Sequence, residues 1–412
     1  MTMVTSGSGR YDLRLGPRHR QARSVRWLFL ASTGMALLAL AIILATVFNG
    51  GVGLVAVEYR VDPTTLSSRP LETLSRDELQ AILEAHGSHA ALRRLNREKP
   101  LAQRDQADLY QLVTQVVLEE DIAGTWTLWD SLIRRPAIEK EVAAEHPRAR
   151  LEFRTWLRLS FLTRPMSSDA LLTGARTAVL GSLWMGVMTV LVAFPLGVAS
   201  AIYLEEYATR SRLHRLIQTN IDNLAGVPSI IYGMLGLAIF VRALGPLTSG
   251  AVFGVSDSNG RTLLSASLTM ALLILPVIII NAQEAIRAVP GSLRQASYGL
   301  GGTRWQTVWS HVLPAALPGI LTGAILGVSR LVGETAPLIV VGASTYIVSD
   351  PSGPFSKFTV LPILIYNWTT RPQAEFRNLA AAAILLLLAL LLTMNAAAVI
   401  LRNRAARRRG SL

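Results

Sequence analysis

Cysteine is absent from the 412 residues, which excludes structural disulfides, thiolate nucleophiles and cysteine-based metal sites. Lysine is almost absent too. Lys99, Lys140 and Lys357 are followed by Pro100, Glu141 and Phe358, whereas a phosphate-cradling nucleotide loop needs glycines and a Lys followed by Ser or Thr. The chain therefore carries no standard P-loop and does not itself read as an ATPase. Charge of either sign is sparse, at 16% of residues against 51% hydrophobic, a balance more apolar than a soluble domain requires.

Crossing a hydrocarbon core about 30 Å thick takes roughly 20 apolar helical residues. Six charge-poor runs reach or approach that length: Trp27 to Val57, Thr177 to Leu204, Asn223 to Val241, Thr262 to Gln283, Trp305 to Ser329 and Asn378 to Leu401. They predict an all-α polytopic membrane protein with six transmembrane helices. The apolar core of the first run, Trp27 to Phe48, exceeds the hydrophobic region of a cleaved signal peptide and reads as a signal anchor.

A net charge of +13, taken alone, suggests nucleic acid, yet its distribution points to a bilayer. Arginines cluster before the first span, at Arg210, Arg212 and Arg215, at Arg287, Arg294 and Arg304, and from Arg402 to Arg409. These positions share one side of the membrane. The short loops on the other side hold only Arg242, Arg261, Lys357, Arg371 and Arg377, so the positive-inside rule places both termini in the cytoplasm.

The expected organisation is a basic tail (residues 1–26), the first span and its exit (27–57), a periplasmic insert (58–169), a core of five spans (170–402) and a second basic tail (403–412). The insert reads as largely helical. Ser75 and Glu78 form a capping-box pattern ahead of Leu79, Ile82 and Leu83, and a second helix is expected over Gln106 to Leu118. Its short helices need cover from the membrane core. His86 and His89 are spaced i, i+3, but Gly87 interrupts them and no third ligand follows, so they read as solvated histidines and no metal site is expected. Trp126, Trp129 and Trp156 read as packing or interfacial residues. Gly51, Gly53 and Ala56 imitate a dinucleotide fingerprint, but they follow a membrane helix and open no βαβ unit.

The cytoplasmic loop over residues 284–314 is too long and patterned for a connector. Ser292 to Tyr298 reads as one short helix, Gly299, Gly301 and Gly302 as a turn, and Thr303 as the cap of a second helix running through Trp309 before Pro314. In the following span, Gly319, Gly323 and Gly327 make an i, i+4, i+8 stripe that admits another helix closely. Arg330 and Glu334 then interrupt an otherwise uncharged segment, where a charge at membrane depth costs about 2.5–3.5 kcal/mol. Helical spacing turns both toward the stripe. They read either as an ion pair between helices or as an anion site, since an Arg fork donates two hydrogen bonds and Glu balances it between occupancies. Pro228, in the third span, reads as a kink with either a transport or a purely structural meaning.

The loop resembles the EAA loop of ABC-importer permeases, with Gln295, Ala296 and Ser297 at the Glu-Ala-Ala positions, Gly301 at the central glycine, and His311, Leu313 and Pro314 at the close. RLVGETAPL, from Arg330 to Leu338, resembles the R-x-x-GETAPL signature of phosphate ABC-importer permeases of the PstA type, and NLAGVPSIIYGMLG, from Asn223, resembles a second stretch of them. The resemblance implies a type I importer fold and a bacterial inner-membrane permease forming half of a phosphate path. It makes Arg330, Glu334 and Thr335 the substrate-path residues, and Gln295, Ala296, Gly301, Arg304, Leu313 and Pro314 the ATPase-coupling residues. Ile280 falls where some relatives carry a second Arg. The implied partners are a PstC-type second permease, a PstB-type ATPase dimer that binds ATP and Mg, a PstS-type periplasmic phosphate-binding protein, phosphate and lipid, with no nucleic acid and no cofactor in this chain. Rival readings are a sulfate or molybdate permease, a secondary transporter with inverted repeats, and a membrane-anchored sensor.

Overall fold

The uncharged stretch from Trp27 to Phe48 lies in a single helix, α1 (Leu15–Gly51), in a computed structural model that describes residues 15–407 apart from 60, 62, 68, 88–91, 94, 97–99, 119, 210 and 256–258. Most of α1 from Val25 onward is exposed, as expected of a helix apolar all round whose neighbour is lipid. Near its end it meets the last helix: a Cβ on Gly50 would sit 3.2 Å from the Ala381 Cβ, and one on Gly51 would sit 3.3 Å from Leu385.

The span does not run on to Val57 as expected. At Val52 the chain becomes a strand, β1 (Val52–Tyr59), the middle strand of an antiparallel sheet ordered β2-β1-β3. The insert is therefore built around a sheet as well as helices. β1 escaped notice because both of its faces are covered, which removes the alternation that marks a half-exposed strand. Val55 and Val57 face a core shared with Trp156, Phe161, Leu364, Trp368 and Phe376, whereas Leu54 and Ala56 pack on Ile138 and Val142.

Two helices stand beyond this sheet, α2 (Arg76–His86) and α3 (Gln106–Val116), the second two residues shorter than expected. The capping box of α2 is formed: Ser75 N–H donates to Glu78 Oε2 at 2.7 Å, and the Ser75 hydroxyl accepts from Glu78 N–H. Leu79, Leu83, Leu109 and Val113 give this pair a core of its own, so the membrane part covers the sheet but not these helices. His86 is exposed, and its ring meets only the Ile82 carbonyl. His89, Arg210 and the outer tails (residues 1–14 and 408–412) lie outside the described residues, among which no group of three His, Cys, Asp or Glu side chains could hold a metal.

β2 (Glu120–Thr125) leads through α4 (Leu128–Ile133) and α5 (Arg135–Glu145) to β3 (Arg150–Thr155) and α6 (Leu159–Thr163). Trp156 is buried, Trp126 lies over Gly124, and exposed Trp129 donates its backbone N–H to Asn49 Oδ1 at the end of α1.

The membrane core is built around α10 (Leu263–Arg287), which packs on α7 (Arg176–Ile202, continued by a π-helical turn through Tyr207) and on α13 (Leu313–Gly333). Among the described residues, five helices are long and apolar enough to cross a membrane, and one bent pair could supply a sixth crossing. That pair replaces the expected third span. α8 (Arg212–Ala225) and α9 (Ser229–Gly236, continued to Ala243) meet at 106° around Val227 and Pro228. Proline excludes the residue before it from helical geometry and lacks the N–H that would continue the helix. Further helices of the membrane part are α11 (Gly291–Gly299), α12 (Arg304–Thr307), α14 (Ala336–Val341), α15 (Leu361–Thr369) and α16 (Ala374–Arg407).

Candidate functional site

Helix α13 ends at Gly333, and Glu334 follows in extended geometry, with φ −80° and ψ 125°. The helical-wheel placement of Glu334 therefore fails. Its side chain still turns back, and Arg330 Nε donates to Glu334 Oε1 at 3.4 Å. The Arg330 and Glu334 side chains are 41% and 21% exposed. The contact is long and uses a single donor of the guanidinium, so Glu334 takes up only part of the hydrogen-bonding capacity of Arg330.

Thr335 precedes α14, where its carbonyl accepts from Leu338 N–H and Ile339 N–H and its hydroxyl makes no capping bond. Helix α14 is short because Pro337 occupies its first turn and Gly342 ends it at φ +103°, a conformation side chains resist. Its partner is α9. Gly236 backs onto the Thr269 side chain of α10, and the Tyr232 hydroxyl donates to the Leu224 carbonyl across the Pro228 break at 2.7 Å. The stretches beginning at Asn223 and Arg330, a hundred residues apart in the chain, thus fold into one unit beside the charge pair.

Gly319 and Gly323 face Ala285 and Asn281 of α10 so closely that a Cβ on either would collide, and Gly327 faces Ile278 at 3.5 Å. Ile280, on the same α10, is partly buried and packs against Leu204, Ile221 and Ile279.

At the opposite end, α11 and α12 flank a turn in which Gly301 takes φ +84°. Thr303 caps α12, closed into a box by Gln306. Gln295, Ala296, Gly301 and Arg304 are exposed, as are Tyr298 and, at 91%, Leu300. The second helix does not stop before Pro314. It passes through a π-helical turn, Val308–Val312, and continues as α13 with His311, Leu313 and Pro314 inside it. The wider turn relieves the clash between the proline ring and the carbonyl four residues earlier. Trp305 and Trp309 stack on its outside at 5.5 Å.

Glu205 and Glu206 were missed in the sequence. Carboxylates in the last turn of a helix oppose its dipole, and that misplacement was the available signal. They meet Arg287 and Arg294, each at 2.7 Å.

Among curated proteins, the chain is 37% identical over 201 residues to the phosphate transport system permease protein PstA 1 of Mycobacterium tuberculosis (strain CDC 1551 / Oshkosh), covering 48% of this chain and 61% of that protein. It is 32% identical over 233 residues to the probable ABC transporter permease protein YqgI of Bacillus subtilis (strain 168), covering 53% and 75%. It is 34% identical over 213 residues to the phosphate transport system permease protein PstC of Pasteurella multocida (strain Pm70), covering 47% and 63%. The chain thus spans less than two thirds of the length of two of these three relatives. Residues 193–407, just over half of the chain, match the family of binding-protein-dependent transport system inner membrane components, and the chain belongs to that family.

Proposed function

We propose that this chain is the PstA-type permease subunit of an ATP-driven importer of inorganic phosphate, lining half of the translocation path. The observation that carries the reading is the loosely closed Arg330–Glu334 pair at 3.4 Å, set beside α9 and α14 in a chain of this transport family. The named relatives support phosphate as the substrate.

The pair suits the chemistry of that anion. The Arg330 guanidinium can donate two hydrogen bonds to phosphate oxygens. Glu334 can then accept a hydrogen bond from a protonated phosphate oxygen, which sulfate at neutral pH does not offer. When the anion leaves, Glu334 takes the guanidinium back and spares the path an unpaired cation.

The exposed knob of α11, Gly301 and α12 would dock an ATPase, with Gln295, Ala296, Arg304 and Leu300 at the contact and Leu313 and Pro314 joining it to the membrane helix. The partners would be a PstB-type ATPase dimer holding ATP and Mg, a PstC-type second permease and a PstS-type periplasmic phosphate-binding protein. The arginine distribution supports both termini in the cytoplasm of a bacterial inner membrane.

The test is reconstitution with those partners. Phosphate uptake should require both ATP and the binding protein, and uptake driven by an ion gradient alone would overturn the reading. Arg330→Ala should abolish uptake while the complex still assembles; failure to assemble would make the pair structural.

A further inference from the structure

Helix α7 and its π-helical turn form one continuous helical stretch from Arg176 to Tyr207, 32 residues with Pro195 inside it, or about 48 Å at 1.5 Å per residue. Each end is fastened to a segment of interest. At one end the Glu206 side chain, 8% exposed, accepts from Arg294 Nη2 at 2.7 Å and from Nε at 3.1 Å. Arg294 belongs to α11, and it also donates to the Ile286 and Val289 carbonyls at 3.0 and 2.8 Å, which lie where α10 ends and its carbonyls lack helical donors. Beside this knot, Glu205 holds Arg287, the last residue of α10.

At the other end, Arg176 Nη2 meets Asp350 Oδ2 at 3.0 Å, and the Thr177 hydroxyl donates to Asp350 Oδ1 at 2.9 Å. One turn on, the Ser182 hydroxyl accepts from Leu361 N–H, and Gly181 lies against the Thr359 carbonyl. These contacts take in residues 350–361, the segment that follows α14.

We propose that α7 is a strut that carries displacement of α11 to the loop over residues 343–360 at the far end of the molecule, with Glu206 and Arg176 as its positioning residues. The inference rests on the proposed ATPase-docking role of α11. A buried charged clamp suits the task, because breaking it strands Glu206 away from solvent and so resists independent movement of the two helices. A strut also needs no contact with substrate or nucleotide.

The test uses the whole reconstituted complex and the chain's lack of cysteine, which makes an introduced one the single spin-label site when the purified chain is labelled before assembly. Labels at Ser292→Cys on α11 and Val348→Cys in the loop are followed with and without ATP. In the parent protein both should respond to ATP. In Glu206→Gln the Val348 label should fall silent while the ATPase stays bound, and uptake per ATP hydrolysed should drop about tenfold, equal to about 1.4 kcal/mol. Asp350→Asn, at the far end, should silence Val348 yet leave Ser292 responding, which a general loss of folding would not do. It decides the matter should Glu206→Gln fail to assemble. An unaltered Val348 response in both variants overturns the strut alone. A parent protein in which Ser292 ignores ATP overturns the docking role and the strut with it.

Discussion

Pro337 lies so near Gly233 that a Cβ on the glycine would sit 2.7 Å from the Pro337 Cα and 3.0 Å from its carbonyl oxygen. The contact joins the two segments that flank the Arg330–Glu334 pair, and backbone on one side leaves no flexible atom to give way. Gly233→Val should therefore push α9 and α14 apart, at a cost of about 1–3 kcal/mol. A lowered melting temperature in detergent, together with lost uptake at normal complex assembly, is the expected result; an unchanged melting temperature would show that the contact relaxes freely.

Gly301 takes φ +84°, and a Cβ there would meet nothing within 4 Å, so a substitution encounters backbone strain and no collision. Gly301→Val should cost of order 1–3 kcal/mol at the turn and weaken retention of the ATPase on affinity purification, while Arg330 and Glu334 keep their geometry. Gly301→Asn, better suited to that conformation, should retain more ATPase than Val. Equal retention in the two variants would remove the turn from the docking surface.

Trp368 is fully buried where the insert sheet meets the membrane core, against Phe161 and Phe376. Trp368→Ala should cost about 3–5 kcal/mol and open the junction to protease. Trp368→Phe should cost less, because the indole N–H it deletes has no hydrogen-bond partner among the described residues. Limited proteolysis distinguishes the two.

The Ser75 N–H, followed by the Ser75 hydroxyl, holds the Glu78 carboxyl below its ordinary 4.5. With the folded value depressed, the stabilisation is complete above 4.5 and is lost as pH falls through the lower folded value. Amide protection in the first turn of α2, taken relative to the base-catalysed intrinsic exchange rate, should fall below about pH 4.5 and lose that fall in Glu78→Gln; protection that stays constant across the range would rule out the carboxylate's part in the cap.

Features set by local chemistry were legible in the sequence: the Ser75 capping box, the Thr303 cap, the Gly301 turn and the apolar length of α7 and α10. Features set by distant partners were not. β1 looked like the end of a membrane span because its two covers, α15 and α5, come much later in the chain. The break at Pro228 was visible as a residue but not as an angle of 106°, which depends on how α8 and α9 each pack. Arg330 was conspicuous for its charge, whereas the end of the helix before Glu334 followed from the short α14 and its contact with Gly233. Glu205 and Glu206 were hidden by a rule that weighs arginines and gives acids little weight.

The contact between Gly50 and Ala381 also sets an order of assembly. Helix α1 emerges well before α16, and the two contacting residues are about 330 residues apart, so at about 5–20 residues per second α1 waits roughly 17–66 s for that partner. β1 waits nearly as long for Trp368 and Phe376. During that interval the apolar length of the first helix lacks its partner in α16, and the half-made sheet has no floor. Truncations before α16 should therefore leave the insert protease-sensitive even though every one of its own residues is present.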